Sequence, residues 1–276
     1  MEPAGSDSSK LEGGEREQAQ EHAPLRAMVI HEIIRKEGEA ELERKVGATI
    51  WSGLAAGLSM GFSFAAQALL KSDLKGVIGA NALSSLGYAL GFIIVVLGRQ
   101  QLFTESTLTA VLPFLAKRDL PTLGKTIKLW NIVFAANIVG TWLFAAALAY
   151  GHPLPADTAP ALRELATAAI GDSFWHTLLR AVFAGWLIAL MVWLLPSSRS
   201  ARILVILVLT WAVAMGKLSH IIAGSTEGAY AVLTGSGTIV QYLFAFLIPT
   251  LIGNTIGGVS LVALLNHAPL ADEVAD

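Results

Sequence analysis

The stretch from Ile203 to Gly235 most constrains what this chain can fold into. ILVILVLTWAVAM is apolar enough to enter a bilayer, Gly216-Lys217-Leu218-Ser219-His220 interrupts it, and IIAGSTEGAYAVLTG resumes. A cation, a histidine and glycine at mid-membrane depth are costly in hydrocarbon, and irregular backbone is tolerated there only where it faces protein or a water-filled cavity. The stretch therefore reads as the wall of a pore or substrate path with His220 at its narrow part. The plainer reading is a kinked helix whose histidine hydrogen-bonds a neighbouring span.

Composition supports a membrane setting. Of 276 residues, 54% are hydrophobic and 14% charged, with a mean hydropathy of +0.60, against about 25% charged residues in soluble domains. The chain reads as an all-α polytopic membrane protein. The formal net charge of −2 gives no basic surface for nucleic acid. The absence of cysteine excludes disulfides, thiolate metal sites and cysteine nucleophiles. No metal or other cofactor is expected.

Residues 1–23 are polar and acidic, with no apolar segment for a cleavable signal, and read as a disordered tail. Residues 24–45 have helical period, with Leu25, Met28, Val29, Ile33 and Ile34 apolar and Arg35, Lys36, Arg44 and Lys45 basic. They predict an amphipathic helix, either lying on the membrane surface or packed beneath the bundle. The membrane domain is expected over 46–266, followed by a short tail, 267–276. Its spans are about 46–70, a broken span from about 81 that stops at Arg99-Gln100-Gln101 and resumes as TLTAVLPFLA, then about 127–150, 174–195, the broken span above, and about 239–265. ALRELATAAI, between the third and fourth, predicts a short surface helix. Lys and Arg concentrate before the first span and in the links 117–128 and 199–202, which predicts six spans with both termini cytoplasmic.

The features repeat. Continuous, broken, continuous describes spans one to three and again four to six. Each half also carries an Asn-x-x-Gly: Thr104 to Asn137 is 33 residues and His220 to Asn254 is 34. Three spans per half make the halves inverted, and paired broken helices in such a repeat mark a site near the midplane.

LFTEST (102–107), AANIVG (135–140), SHIIAGS (219–225) and IPTLIGNTIGG (248–258) together resemble the formate/nitrite transporter family over about residues 46–266. WSGLAAGLSMG, GRQQLFTE and GWLIALMVW look closer to an uncharacterised bacterial inner-membrane branch of it than to its dedicated formate or nitrite channels. The resemblance implies an aquaporin-like six-span bundle in the inner membrane, a homopentamer with one pore per protomer, and passage of small monovalent anions or their weak acids. It also implies that Thr104 and His220 face each other in the pore and that Leu102, Phe103, Tyr88 and Phe92 form apolar constrictions. Tyr88 and Phe92, spaced i and i+4, have packing as their plainer reading. Asn137, Asn254 and Gly216 would support the broken helices. The chain departs from the family pattern at Ser173, where a lysine is usual and His176 is the nearest candidate. It departs again at Ala189 in place of an asparagine, and at Lys217-Leu218-Ser219 in place of Gly-Phe-Glu.

A bare anion cannot cross a dry apolar constriction, because stripping its water costs more than weak contacts return, whereas a neutral weak acid can. The expected parts are thus a positive group that gathers the anion, which is Lys217, Arg99 or the positive ends of the half-helices, His220 as proton relay, since imidazole titrates in the physiological range, and Thr104 as a hydrogen-bond donor to the substrate, in a channel or a proton-coupled carrier. Two other classes stay open: a neutral-solute channel, and a sensor or scaffold with a vestigial pore. An enzyme is not expected. Ser219 and His220, adjacent on a helix, point about 100° apart, and Ser225 and His267 lie at different depths.

Overall fold

The computed structural model describes residues 25–264 together with Glu12, Gly14 and Glu15. Apart from those three positions, the expected tails 1–23 and 267–276 lie outside the described residues. Every regular element among the described residues is helical.

Five runs are long and apolar enough to cross a bilayer: α2 (Val46–Asp73), α3 (Ala80–Leu97), α5 (Leu120–Gly151), the run Phe174–Met215 and α10 (Ile239–Ser260). At about 1.5 Å per residue, the 42 residues of Phe174–Met215 would measure ~63 Å, twice a ~30 Å hydrocarbon core. They form two spans instead. The backbone leaves helical geometry at Arg199 (φ 14°, ψ −87°), and α8 (Arg202–Met215) packs back against α7 (Phe174–Leu194). Two shorter helices complete the broken spans: α4, covering 103–117, and α9 (Ile221–Leu233). The result is an aquaporin-like bundle of six spans in two inverted halves, α2–α5 and α7–α10.

The halves share one packing device. Where α2 crosses α5, a Cβ on Gly57 would lie 2.2 Å from the backbone oxygen of Asn137; where α7 crosses α10, one on Gly185 would lie 2.4 Å from that of Asn254. Only glycine permits so close an approach of backbones, the small-residue contact that lipid-embedded helices favour. The outward face is apolar, with Trp51, Leu143 and Phe183 exposed, while Thr49, Ser63, Asn137, Thr141 and Asn254 are buried. That distribution suits a lipid surround.

The amphipathic stretch forms α1 (Ala27–Leu42). It packs beneath the bundle, with Ile30 and Ile34 buried against Leu108, Leu112 and Trp193. Glu41 accepts from Thr109 Oγ1 (2.6 Å) and Gln101 Nε2 (3.2 Å), and burial pushes its carboxyl above the usual range, partly offset by those two bonds. Glu37 pairs with Arg99 (3.1 Å), Glu39 with Lys117 (3.4 Å) and Glu43 with Lys125 (2.5 Å). The helix expected at the surface, α6 (Ala159–Ala169), buries Ala161, Leu162 and Ala166 and packs on α2 and α9.

Candidate functional site

The two breaks are built alike. In the first, Arg99 N–H bonds to Val96 O (3.2 Å) and Gln100 N–H to Val95 O (3.0 Å); in the second, Lys217 N–H bonds to Ala214 O (3.0 Å) and Leu218 N–H to Val213 O (2.9 Å). This is the Schellman pattern, whose turning residue takes positive φ and is usually glycine. Here it is a cation in both halves, Arg99 and Lys217, each at φ 51°. The glycine expected to support the second break, Gly216, sits one position earlier at φ −75°. A cation suits this place because the helix C-terminus carries partial negative charge.

Beyond each break an asparagine ties the loose backbone. Asn137 Oδ1 accepts from Phe103 N–H (2.9 Å), and its Nδ2 donates to Gln101 O (2.9 Å) and Gly53 O (2.7 Å). Asn254 Oδ1 accepts from Ile221 N–H (2.8 Å), and its Nδ2 donates to Ser219 O (2.9 Å) and Ala181 O (2.8 Å). These bonds set the register of the repeat: Phe103 corresponds to Ile221, so the counterpart of His220 is Leu102, not Thr104. Both are N-caps in extended conformation, with φ −107° at each. The helix after the first break also starts earlier than expected, at Phe103 rather than within TLTAV.

Thr104 and His220 do meet. Thr104 Oγ1 lies 2.8 Å from His220 Nε2, and each residue is 1% exposed. Ala223 N–H donates to His220 Nδ1 (3.2 Å). That bond assigns the proton of the neutral ring to Nε2, which donates to Thr104 Oγ1. The hydroxyl proton of Thr104 is then left without an acceptor among the described residues.

A cavity of about 480 Å³ stands above this junction, open on the side that carries α6, with His220, Gly224, Glu227 and Tyr88 among its lining residues. Its charges nearly cancel. Lys71 pairs with Glu164 (3.1 Å) and Arg180 with Asp172; Lys217 and Glu227 also line it and make no ion pair among the described residues. His176, the sequence candidate for a vestibule cation, does not line the cavity. Its Nδ1 lies 3.3 Å from Asp172, and Ser173 accepts its N–H as the N-cap of α7. Arg180, one turn further on, takes that place.

The apolar candidates separate. Phe92 is fully buried, with its ring 5.0 Å from the imidazole of His220, and Tyr88 packs on it at 5.3 Å while also facing the cavity. Leu102 is 1% exposed beside the junction. The ring of Phe103 is held against Trp130 (6.2 Å) and Phe134 (5.3 Å), a packing position on α5. Sequence reasoning passed over Arg180, Glu105 and Glu227. The available signal was the presence of ionisable groups inside membrane segments.

Six spans in inverted halves, with broken spans whose half-helices meet at a buried polar pair under a cavity, define a membrane channel or transporter of aquaporin-like architecture. Comparison with known proteins makes this specific. The family model described as formate/nitrite transporter matches residues 28–268. The chain belongs to that family. It is 40% identical to the inner membrane protein YfdC of Escherichia coli (strain K12), over 98% of this chain and 89% of the relative. It is 31% identical to the uncharacterized transporter YrhG of Bacillus subtilis (strain 168), over 70% and 71%. Among solved structures, a pentameric formate channel with formate bound superposes with a TM-score of 0.72 at 18% identity, covering 82% of this chain and 98% of that one. The chain is accordingly a multi-pass inner-membrane protein.

Proposed function

We propose that the protein passes small monovalent anions, formate and nitrite being the type cases, across the inner membrane as their weak acids. The observation that carries this reading is the Thr104–His220 contact, 2.8 Å long and 1% exposed on both sides, at the floor of the cavity. The N-termini of two half-helices converge on it and favour partial negative charge. The free hydroxyl proton of Thr104 offers one hydrogen bond to an acid held at the junction. Leu102 and Phe92 beside it make a dry passage that a hydrated anion would cross only at great cost.

The hydrogen bonds around His220 favour a fixed donor over the relay expected from the sequence. A protonated ring carries N–H on both nitrogens, so imidazolium would forfeit the bond from Ala223 that caps α9. Arrangement of the path follows the family: a homopentamer with one path per protomer, both termini cytoplasmic, and the cavity as the outer vestibule.

Reconstituted vesicles carrying an internal pH dye test the reading against formate, nitrite, acetate, lactate, hydrosulfide and glycerol. Fast alkalinisation or acidification with the smallest acids supports it. Glycerol uptake with no response to any acid assigns the path to neutral solutes, and no flux of any of them leaves a sensor or scaffold.

A further inference from the structure

We propose that Glu227 hands a proton to the incoming anion, so that the protein makes its neutral substrate inside the cavity. This rests on the weak-acid reading above. His220 caps α9, Gly224 and Glu227 follow it at i+4 and i+7, and all three line the cavity. Seven residues advance a helix by about 10 Å and return to the same face. Glu227 therefore stands two turns outward of the Thr104–His220 junction. The ring of Phe246 packs against Gly224 between them, where a Cβ would fall 2.6 Å from its Cζ, and lines the same cavity.

The surroundings leave this carboxyl uncommitted. Lys71 and Arg180 are each held by another acid, Glu164 and Asp172. No hydrogen-bond donor or ion-pair partner reaches Glu227 among the described residues. Tyr88 of α3, His220 and Lys217 complete the titratable and charged groups facing it across the cavity. Lys217, likewise unpaired, gives the anion a counter-charge in the same cavity. Transfer is then balanced: the substrate carboxylate takes the proton from the Glu227 carboxylic acid, an O–H bond forms on the substrate and one breaks on Glu227, and the neutral acid moves on past His220 and Thr104. Glu227, now carboxylate, is reprotonated from bulk solvent through the cavity mouth. His220 cannot make this transfer without losing its cap on α9, and Glu105 lies on the other half-helix, outside the cavity lining.

The test is formate influx into vesicles between pH 5 and 7, for wild type and Glu227→Gln, with thermal stability and oligomeric mass measured on the same preparations. Neutral acid in bulk falls about tenfold per pH unit above a carboxylic pKa near 4. The glutamine variant, which draws only on that pool, is expected to follow the tenfold slope. Wild type is expected to fall much less steeply, and at pH 7 to exceed the variant by about tenfold or more, with convergence at pH 5. Equal rates and slopes in the two proteins overturn the assignment of Glu227. A wild type that itself falls tenfold per unit overturns it without recourse to any variant. Glu227→Met, similar in length and apolar, repeats the comparison if the glutamine variant does not assemble. A wild type that passes no formate at any pH overturns the weak-acid reading itself, a failure distinguishable from the other two.

Discussion

Replacing Asn254 by alanine removes three hydrogen bonds at once, to Ile221 N–H, Ser219 O and Ala181 O, from a residue with no exposed surface. In water-soluble interiors, leaving a buried polar group unsatisfied costs about 1–3 kcal/mol, which for three groups gives ~3–9 kcal/mol. Polar contacts between membrane helices measure lower, about 0.6 kcal/mol on average and ~1.7 at most, because partly unfolded helices in lipid find other partners; three then give ~2–5 kcal/mol. Ile221 N–H and Ser219 O, at the break, lack intrahelical partners to fall back on, whereas Ala181 O lies within α7, so the upper part of the second range governs through those two, and Asn254→Ala is expected to cost about 3–5 kcal/mol. Asn137→Ala should match it, since Asn137 makes the corresponding three bonds. Asn131→Ala is the control: its side chain donates to Ile127 O in the same helix at an exposed position, and its loss should stay under about 0.5 kcal/mol. Reversible unfolding from mild detergent into SDS, followed by the fluorescence of the seven tryptophans, measures all three. An Asn254→Ala protein within about 1 kcal/mol of wild type would refute the bracing argument.

Gly57→Ala and Gly185→Ala place a Cβ 2.2 and 2.4 Å from backbone oxygens; each should cost more than about 2 kcal/mol in the same titration, and a neutral result at either would contradict the close crossing. Glu41 has a raised folded-state carboxyl pKa, so the folded form binds its proton more tightly than the unfolded form; α1 should dock most firmly below the ordinary carboxylate value, loosen as pH rises from there through the raised value, and change no further above it. Hydrogen exchange in α1, corrected for intrinsic rates, reads this, and Glu41→Gln should flatten the dependence; looser docking at low pH would count against it. Lys125→Ala breaks only a pair whose side chains are 51% and 72% exposed, and its melting temperature should be unchanged within about 1 °C.

Much of this architecture was legible because lipid makes errors expensive. A lysine and histidine inside an apolar run had to mark a break, matched offsets to two asparagines pointed to an inverted repeat, and the family resemblance assigned those asparagines to the breaks. Register was a different matter. Spacing paired Thr104 with His220 as equivalents, whereas the hydrogen bonds of Asn137 and Asn254 pair His220 with Leu102; offsets of 33 and 34 residues cannot resolve a shift of two along a helix. Gly216 was the natural choice for the turn, yet Lys217 takes the left-handed conformation, because the Schellman bonds and the carbonyl end of α8 compensate a side chain there. Arg180 and Glu227 escaped notice for a topological reason. Each was visible as an ionisable group inside a membrane segment, but only the tertiary fold, with α6 packed on α9 and α7 lining the same space, brings both to one cavity.

The most direct test of the account is formate flux through reconstituted protein carrying His220→Phe, compared with wild type at equal oligomer content. Phenylalanine fills a similar volume among Phe92 and Tyr88 but cannot donate to Thr104. The account predicts a fall in flux of about tenfold or more, with the mass of the assembly in mild detergent unchanged. Undiminished flux from an intact His220→Phe assembly would contradict it, because the acid would then be crossing somewhere other than the Thr104–His220 junction.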